Sequence, residues 1–387
     1  MSFYYRLPAA LIAATIAIVQ PEFAVAQLSA QQVEEIHRNE CSPSGEIDFN
    51  EAIRLNPNDA EAYNGRGAVR YDQGEIEGAI ADYNEAIRLN PSYADAYNNR
   101  ANARYDQGDI QGVLTDLNEA IRLEANNAEA YYKRAFLRYD QGDKQGAIAD
   151  YNEAIRLEPS DADAYINRGV VRYEQGDIQG AIADYNEAIG LEPSDADAYN
   201  NRANARSDQG DIQGAIADYN EAIRLDPNHA NVYYNRGLLR YHQGDKQGAL
   251  ADFNEDIRLE PNDADSYYYR AIVRYDQGDK QGALADFNEA IRLEPNDAEP
   301  YNSRANARSD QGDIQGALAD YNEAIRLDPN HANAYYNRAL VRKEQRDIQG
   351  AINDLQKASE LYQQQGNADS YRDAQNAIKE LQKELEV

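Results

Sequence analysis

The sequence has one cysteine, one methionine and no tryptophan among its 387 residues. The single cysteine, Cys41, cannot build an internal disulfide framework, a four-cysteine zinc site or an iron–sulfur cluster. Basic residues are also scarce, because 38 Lys and Arg stand against 68 Asp and Glu, which gives a net charge of −30 at pH 7. This charge excludes nucleic-acid binding by phosphate neutralisation, and it disfavours docking on an anionic membrane.

The motifs of common enzyme and metal sites are missing from the sequence. There is no HExxH, CxxC, P-loop, dinucleotide glycine motif or nucleophile elbow, and the four histidines are scattered. Acidic turns such as residues 262–265 lack the glycine and terminal glutamate of a calcium loop. We therefore expect no enzymatic activity, no catalytic residues, no metal site and no cofactor.

The N-terminal residues 1–26 have the pattern of a cleaved secretory signal. Arg6 precedes an uncharged stretch at residues 9–19, which is shorter than the 20 or so residues of a membrane span. Small residues then occupy positions 24–26, where an export peptidase cuts. We expect an exported protein that begins at Gln27, in the periplasm, in the cell envelope or secreted. The alternatives are an uncleaved anchor and a cytoplasmic protein whose N-terminus imitates a signal.

Most of the remaining chain is one repeated unit of 34 residues. Nine units without insertion fill residues 60–365, residues 46–59 match the second half of a unit, and residues 366–387 differ. The period is marked by Pro57, Pro91, Pro159, Pro193, Pro227, Pro261, Pro295 and Pro329. The predicted organisation is therefore a signal (1–26), an irregular segment with a partial repeat (27–59), nine repeats and a C-terminal capping helix (366–387).

Each unit reads as two helices joined by a tight turn. In one unit the second helix has an apolar face formed by Ile212, Ala215, Ile216, Tyr219, Ala222 and Ile223. Gly210 suits the left-handed end of a first helix at about residues 196–209, and Asp211 suits the start of the second. One such pair cannot bury its own apolar face, so neighbouring pairs must stack.

At these positions the chain resembles the tetratricopeptide repeat family, whose unit has the pattern W-x2-L-G-x2-Y…A-x3-F…P. The corresponding residues of the first unit are Tyr63, Arg66, Gly67, Arg70, Ala79, Tyr83 and Pro91. Tyrosine replaces the tryptophan, and arginines replace the leucine and the second aromatic residue. The resemblance implies an all-α, right-handed superhelical solenoid, in which first helices line a concave groove that binds peptides or extended segments.

The final segment predicts a helix that covers the last repeat. Its apolar positions at helical spacing are Ala374, Ala377, Ile378, Leu381 and Leu385. A charged outer face on this helix would keep the array from growing end to end.

Two arginines four residues apart recur on one face of every first helix. The first row is Arg66, Arg100, Arg134, Arg168, Arg202, Arg236, Arg270, Arg304 and Arg338. Second helices carry regular acids, which include Asp82, Asp150, Asp218 and Asp286. Because an unpaired guanidinium packed between helices is costly, we predict an internal Arg–Asp ladder. The alternative is a basic stripe for an acidic ligand.

The first helices differ between units with a period of three units, and these differences predict a partner groove. Its amide-rich bands would contain Asn98, Asn102, Asn200, Asn204, Asn302 and Asn306. Its aromatic bands would contain Tyr132, Phe136, Tyr234, Leu238 and Tyr336, with further groove tyrosines at Tyr105, Tyr139, Tyr173, Tyr241 and Tyr275. Flanking acids favour neutral or basic partners. The alternative is sequence drift on a solvated surface.

These observations predict a non-catalytic scaffold that binds extended segments of a protein or peptide. No nucleic acid is expected as a partner, and no stable membrane span is expected after signal cleavage. Two alternatives stay open: an assembly factor for the cell envelope or a secreted polymer, and a cytosolic complex-assembly factor.

Overall fold

The computed structural model describes residues 48–385, in which all regular secondary structure is helical. The predicted signal at residues 1–26, Cys41 and most of the segment at 27–59 lie outside the described residues. The described helices number 20, and the all-α prediction is confirmed. None of them combines the length and the hydrophobicity that crossing a bilayer requires.

The helices alternate between first and second members of the repeated unit. Helix α1 (Phe49–Leu55) is the second helix of the partial repeat. First helices are α2 (Ala60–Asp72), α4 (Ala94–Gln107), α6 (Ala128–Asp140), α8 (Ala162–Glu174), α10 (Ala196–Gln209), α12 (Ala230–His242), α14 (Ala264–Asp276), α16 (Ala298–Asp310) and α18 (Ala332–Glu344). Second helices are α3 (Ile76–Leu89), α5 (Ile110–Leu123), α7 (Lys144–Leu157), α9 (Ile178–Leu191), α11 (Ile212–Leu225), α13 (Lys246–Leu259), α15 (Lys280–Leu293), α17 (Ile314–Leu327) and α19 (Ile348–Gln364). The last helix is α20 (Ala368–Leu385).

The described chain divides into two compact units, residues 48–218 and residues 219–385, with the boundary inside α11. In the first of them, each helix from α1 to α9 packs against the next helix along the chain. The same packing of consecutive helices recurs from α12 to α20 in the second. This arrangement of stacked helix pairs is the one that the 34-residue period predicts.

The turn between the two helices of a unit depends on a glycine and an aspartate. Gly210 has a φ of +88°, a left-handed conformation that glycine adopts without a Cβ penalty. One residue later, the Asp211 carboxylate accepts a hydrogen bond from the Gly214 amide at 3.0 Å, which satisfies an amide at the helix start. Arg346 occupies the glycine position in the last unit and still has a φ of +63°.

Within a unit, an aromatic ring on the second helix packs against a small residue on the first. Tyr185 is buried, and a Cβ added at Gly169 would come within 2.6 Å of its ring. Gly67 has the same relation to Tyr83. The small residue therefore sets how closely the two helices approach, because the interior leaves no space for a longer side chain.

The two arginines of each first helix share one aspartate of the second helix. Arg100 donates from Nε and Nη2 to the Asp116 carboxylate at 2.9 and 2.5 Å, and Arg104 adds a bond from Nη1 at 2.8 Å. Asp116 is fully buried. The same triads contain the aspartates Asp82, Asp150, Asp184, Asp218, Asp252, Asp286, Asp320 and Asp354. Every arginine of the predicted first row therefore has a carboxylate partner.

Each first-row arginine also contacts the preceding unit, a contact that the sequence analysis missed. Arg100 Nη1 donates to Asn84 Oδ1 on α3 at 2.6 Å. The Arg100 guanidinium lies 5.4 Å from the centre of the Tyr97 ring, within the range of a cation–π interaction. The signal was present, since the segment ADYNEA carries its asparagine two residues after the ladder aspartate in most units.

Helix α20 packs on α19, at the place where the sequence predicts a capping helix. Ala374, Ile378 and Leu381 are buried in one cluster with side chains of α19. Leu385 differs from the prediction, because 56% of its surface is exposed. It is the last residue of the helix, one turn beyond Leu381, and α20 extends past the side chains that it covers.

We expect Arg202→Ala to destabilise the protein strongly, because it removes the guanidinium that donates two hydrogen bonds to the buried Asp218 carboxylate. Breaking a buried ion pair costs about 3–5 kcal/mol, and the Arg202 and Asp218 side chains are only 13% and 5% exposed. Urea denaturation followed by circular dichroism measures the change. The matched control is Arg122→Ala, since Arg122 bonds Glu119 on an exposed surface, and it should shift the midpoint far less. Equal midpoints for the two variants would contradict a structural role for the ladder.

We expect Arg346→Gly to stabilise the protein, because it relieves a left-handed conformation at a residue with a Cβ. The gain should be about 0.5–1 kcal/mol after the greater chain entropy of glycine in the unfolded state is subtracted. Thermal and urea denaturation measure it. Gly312→Arg makes the reverse change at the same turn of the preceding unit and should lower stability. An unchanged or lower stability of Arg346→Gly would refute this account.

Candidate functional site

The structure divides the predicted groove residues into buried and partly exposed sets. The buried ones are Asn102, Tyr132, Phe136, Asn200, Asn204, Tyr234, Leu238, Asn302 and Asn306. The partly exposed ones are Asn98, Tyr105, Tyr139, Tyr173, Tyr241, Tyr275 and Tyr336. The amide and aromatic bands thus lie mainly at the contact between units, and this differs from the open groove wall that the sequence suggested.

Buried amides connect the first helices of consecutive units. Asn167 Nδ2 donates to the Tyr132 hydroxyl at 2.8 Å, and Asn99 Nδ2 donates to Asn64 Oδ1 at 3.1 Å. In both cases the sixth residue of one unit bonds the fifth residue of the unit before it. The physical reason for the pairing is that a polar side chain buried at this contact is stabilised only when its neighbour supplies a partner.

Lys133 is a buried cation at the same sixth position. Its ammonium group donates to Asn102 Oδ1 at 2.9 Å and to Glu129 Oε1 at 2.5 Å. Burial lowers the pKa of Lys133, and the charge and hydrogen bond of Glu129 oppose this shift. Sequence reasoning missed Lys133 because most units have asparagine there.

Partly exposed tyrosines at the twelfth position bond to an acid of the next unit. Tyr139 donates to Glu174 at 2.5 Å, and Tyr241 donates to Asp276 at 2.9 Å. The other such pairs are Tyr71–Asp106, Tyr173–Asp208 and Tyr275–Asp310. Burial and then the bonded acid raise the pKa of Tyr139 well above its usual range, so the Tyr139 hydroxyl stays protonated and donates.

A lysine on the second helix completes some of these contacts. Lys144 Nζ lies 2.9 Å from Glu174 Oε2, and Lys246 Nζ donates to the Asp276 carbonyl at 3.2 Å. Tyrosine and lysine thus hold the same acid from one unit to the next. The tyrosine rings remain partly exposed beside this contact, where they offer flat contact area to a partner.

Acids also recur at the second residue of the first helices. In residues 48–218 they are Glu61, Asp95, Glu129, Asp163 and Asp197, and in residues 219–385 they include Asp265 and Glu299. Partial burial and the charge of Glu129 raise the pKa of Asp95. Partial burial and the charges of Asp263, Glu294 and Asp297 raise the pKa of Asp265 to about 6. Such like-charged neighbours make this surface attractive to cations.

One contact between units replaces two apolar core residues by a polar pair. Asp256 on α13 accepts a hydrogen bond from the Ser266 hydroxyl on α14, and both side chains are buried. The corresponding residues one unit earlier are Ala222 and Val232. Burial, with the charges of Asp263 and Glu260, raises the pKa of Asp256 to about 7, although the Ser266 hydrogen bond lowers it.

No metal centre is apparent within residues 48–385, where no three His, Cys, Asp or Glu side chains are grouped as metal ligands. The acids of the first helices are instead spread along the array, one unit apart.

Three family models match the chain. The one described as TPR repeat matches residues 67–108, 101–142, 137–176, 169–210, 203–244, 273–312 and 305–346. The two described as tetratricopeptide repeat match residues 230–263 and 332–365. None of the curated protein sequences compared with the chain matches it.

Solved structures of repeat proteins are similar to the chain in fold. The Cut9–Hcn1 hetero-tetramer of the APC/C matches with 16% identity and a TM-score of 0.51, covering 86% of this chain and 80% of that chain. PilF of Pseudomonas aeruginosa matches with 20% identity and a TM-score of 0.50, covering 55% of this chain and 96% of that chain. YrrB, a TPR protein with an unusual peptide-binding site, matches with 22% identity and a TM-score of 0.45, covering 48% of this chain and 96% of that chain.

We expect the stability that the Asp256–Ser266 pair provides to fall as pH rises. The folded protein holds the Asp256 proton up to about pH 7, whereas the unfolded chain releases it near pH 4. Between these values the unfolded state binds fewer protons, so stability decreases with pH. The double variant Asp256→Ala/Ser266→Ala lacks this titration. Urea denaturation between about pH 4 and pH 7 measures the free energy of unfolding of both proteins. The difference between wild type and double variant should change by about 2–4 kcal/mol over this range. A constant difference would contradict the burial of a protonated Asp256.

Proposed function

The chain belongs to the tetratricopeptide repeat family, and from this membership we propose that it is a non-catalytic scaffold that binds extended segments of proteins. Members of this family are generally protein-interaction modules. We assign the partner contact to the first-helix surface that carries the second-residue acids and the twelfth-residue tyrosines. The partner segment is neutral or basic.

The row of second-residue acids carries this proposal. In residues 48–218 it has one acid in each first helix, from Glu61 to Asp197. The ladder arginines do not offset this charge at the surface, because they are committed to buried aspartates. A stripe of one charge sign raises the local concentration of oppositely charged partners and repels acidic ones.

The tyrosines of the twelfth position add contact area next to the acids. Tyr139 and Tyr173 are partly exposed, and their hydroxyls are held by the next unit. A side chain that is already fixed loses little conformational entropy on binding. The buried residues Tyr132, Phe136 and Asn204 support this surface by packing where the units meet.

We also propose that the protein is exported. The supporting observations are Arg6, the uncharged stretch at residues 9–19 and the small residues at positions 24–26. Assembly of the cell envelope or of a secreted polymer is a role compatible with this location, and complex assembly in the cytosol is the alternative.

We expect the protein purified from its native cells to begin at Gln27. Intact mass spectrometry of the cell-envelope, secreted and cytosolic fractions measures this directly. A chain that retains residues 1–26 and stays in the cytosolic fraction would overturn the export proposal without affecting the binding proposal.

We expect basic peptides to bind through the second-residue acids. The probe is a labelled peptide that alternates lysine with glycine and serine, and its counterpart has glutamate at each lysine. Fluorescence anisotropy should show binding of the lysine peptide, which weakens with salt, and no binding of the glutamate peptide. The variant Asp95→Asn/Glu129→Gln/Asp163→Asn/Asp197→Asn should weaken binding about tenfold or more.

The matched control removes the same number of charges from second helices. Glu85→Gln/Glu119→Gln/Glu153→Gln/Glu187→Gln changes acids of α3, α5, α7 and α9, and it should leave peptide affinity nearly unchanged. Equal losses in the two variants would mean that net charge acts without a specific surface. Failure of the lysine peptide to bind wild type would reject a basic partner.

A further inference from the structure

A cavity of about 540 Å³ lies within residues 219–385, beside the N-terminal ends of α12 and α14. It is lined by Asn231 and Tyr234 of α12, by the turn that contains Glu260 and Asp263, and by Asp265 of α14. All of its lining residues are acidic, amide, proline or tyrosine, and none is Lys, Arg or His. The cavity thus has three carboxylates without a basic lining residue.

Tyr234 is the second, independent observation at this cavity. Its side chain is 8% exposed, and its hydroxyl has no hydrogen bond within residues 48–385, although the tyrosines at the same position of two other units do. Tyr132 bonds Asn167 at 2.8 Å, and Tyr268 contacts the Ser303 hydroxyl at 3.4 Å. The rest of the side chain is packed, and the residue lies on the wall of the cavity, so a ligand in the cavity can supply the hydrogen-bond partner that this hydroxyl lacks.

The hydroxyl lacks a partner because of a single substitution in the next unit. The residue that would pair with Tyr234 is Tyr269, which stands where most other units have asparagine, serine or lysine. Its ring packs edge-on against the Tyr234 ring, with centroids 5.9 Å apart. The aromatic contact keeps Tyr234 in place but supplies no donor or acceptor for its hydroxyl.

The carboxylates around this cavity favour a positively charged ligand. Asp265 lies close to Asp263, Glu294 and Asp297, and partial burial together with these charges raises the pKa of Asp265 to about 6. Asp263 accepts a hydrogen bond from the Asp265 amide at 3.0 Å. A cation in the cavity would relieve the repulsion between these carboxylates.

We propose that this cavity binds a primary ammonium group. This proposal rests on the scaffold function proposed above. The ammonium group belongs to a lysine side chain of the bound segment. An ammonium group has three donors and no acceptor, and the cavity offers carboxylates, the Asn231 side-chain oxygen and the Tyr234 hydroxyl as acceptors. The carboxylates are not grouped as metal ligands in the described residues, and the volume suits an organic cation.

The test uses the full chain and the lysine peptide of the preceding section, with isothermal titration calorimetry. Tyr234→Phe removes only the hydroxyl, and Asp265→Asn removes only one charge. Each substitution should lower the affinity for the lysine peptide at least about fivefold. The matched controls are Tyr132→Phe, whose hydroxyl already bonds Asn167, and Glu289→Gln, which changes an acid of the second helix α15 outside the proposed binding surface. Both controls should change affinity less than about twofold.

Two further titrations identify the source of the ammonium group. A peptide with Nε-acetylated lysines keeps its length but loses the cation, and it should bind wild type no better than it binds Tyr234→Phe. Spermidine, a free polyamine, should displace the lysine peptide only weakly if the cavity serves a protein segment. Displacement by spermidine at lower concentration than by the peptide itself would assign the cavity to a free polyamine and overturn the lysine assignment.

The outcomes separate the two proposals. If the peptide binds wild type, Tyr234→Phe and Asp265→Asn equally, the cavity proposal is wrong and the scaffold proposal stands. If the peptide does not bind wild type, both fail. Circular dichroism and urea midpoints equal to wild type establish that a lost affinity reports the cavity and not unfolding.

Discussion

The structure depends on a carboxylate that two arginines share inside every helix pair. Asp116 is fully buried and accepts three hydrogen bonds from Arg100 and Arg104. Because a buried carboxylate without these donors would be far less favourable, only one pairing of the helix faces is acceptable. The triad replaces apolar positions of the family pattern, so a charge network takes the place of part of the core. Its link to Asn84 extends the same constraint to the preceding unit.

Differences between the units are largely explained by contacts with their neighbours. Asn167 bonds Tyr132, Lys133 bonds Asn102, and Ser266 bonds Asp256. Each member of such a pair sits in a different unit, and each is buried. Part of the variation between the first helices therefore reflects matched packing between units.

The surface left for a partner is consequently narrower than the variable positions suggest. It contains the second-residue acids and the tyrosine rings whose hydroxyls are held by an acid of the next unit, as in Tyr139–Glu174. The acids repel one another, and Asp95 and Asp265 both have raised pKa values. A basic segment would relieve this repulsion, which connects the charge of the chain to the kind of partner that we propose.

The sequence by itself determined the repeat, the two helices of each unit, the glycine turn at Gly210 and the pairing of arginines with Asp218, because these follow from local spacing and from the cost of an unpaired buried charge. Tertiary structure decided which variable residues are buried. Tyr132 and Tyr234 have the same position in their units, yet only Tyr132 has a partner for its hydroxyl, because the next unit supplies asparagine in one case and Tyr269 in the other. That difference depends on contact between residues 35 positions apart, which no local pattern contains.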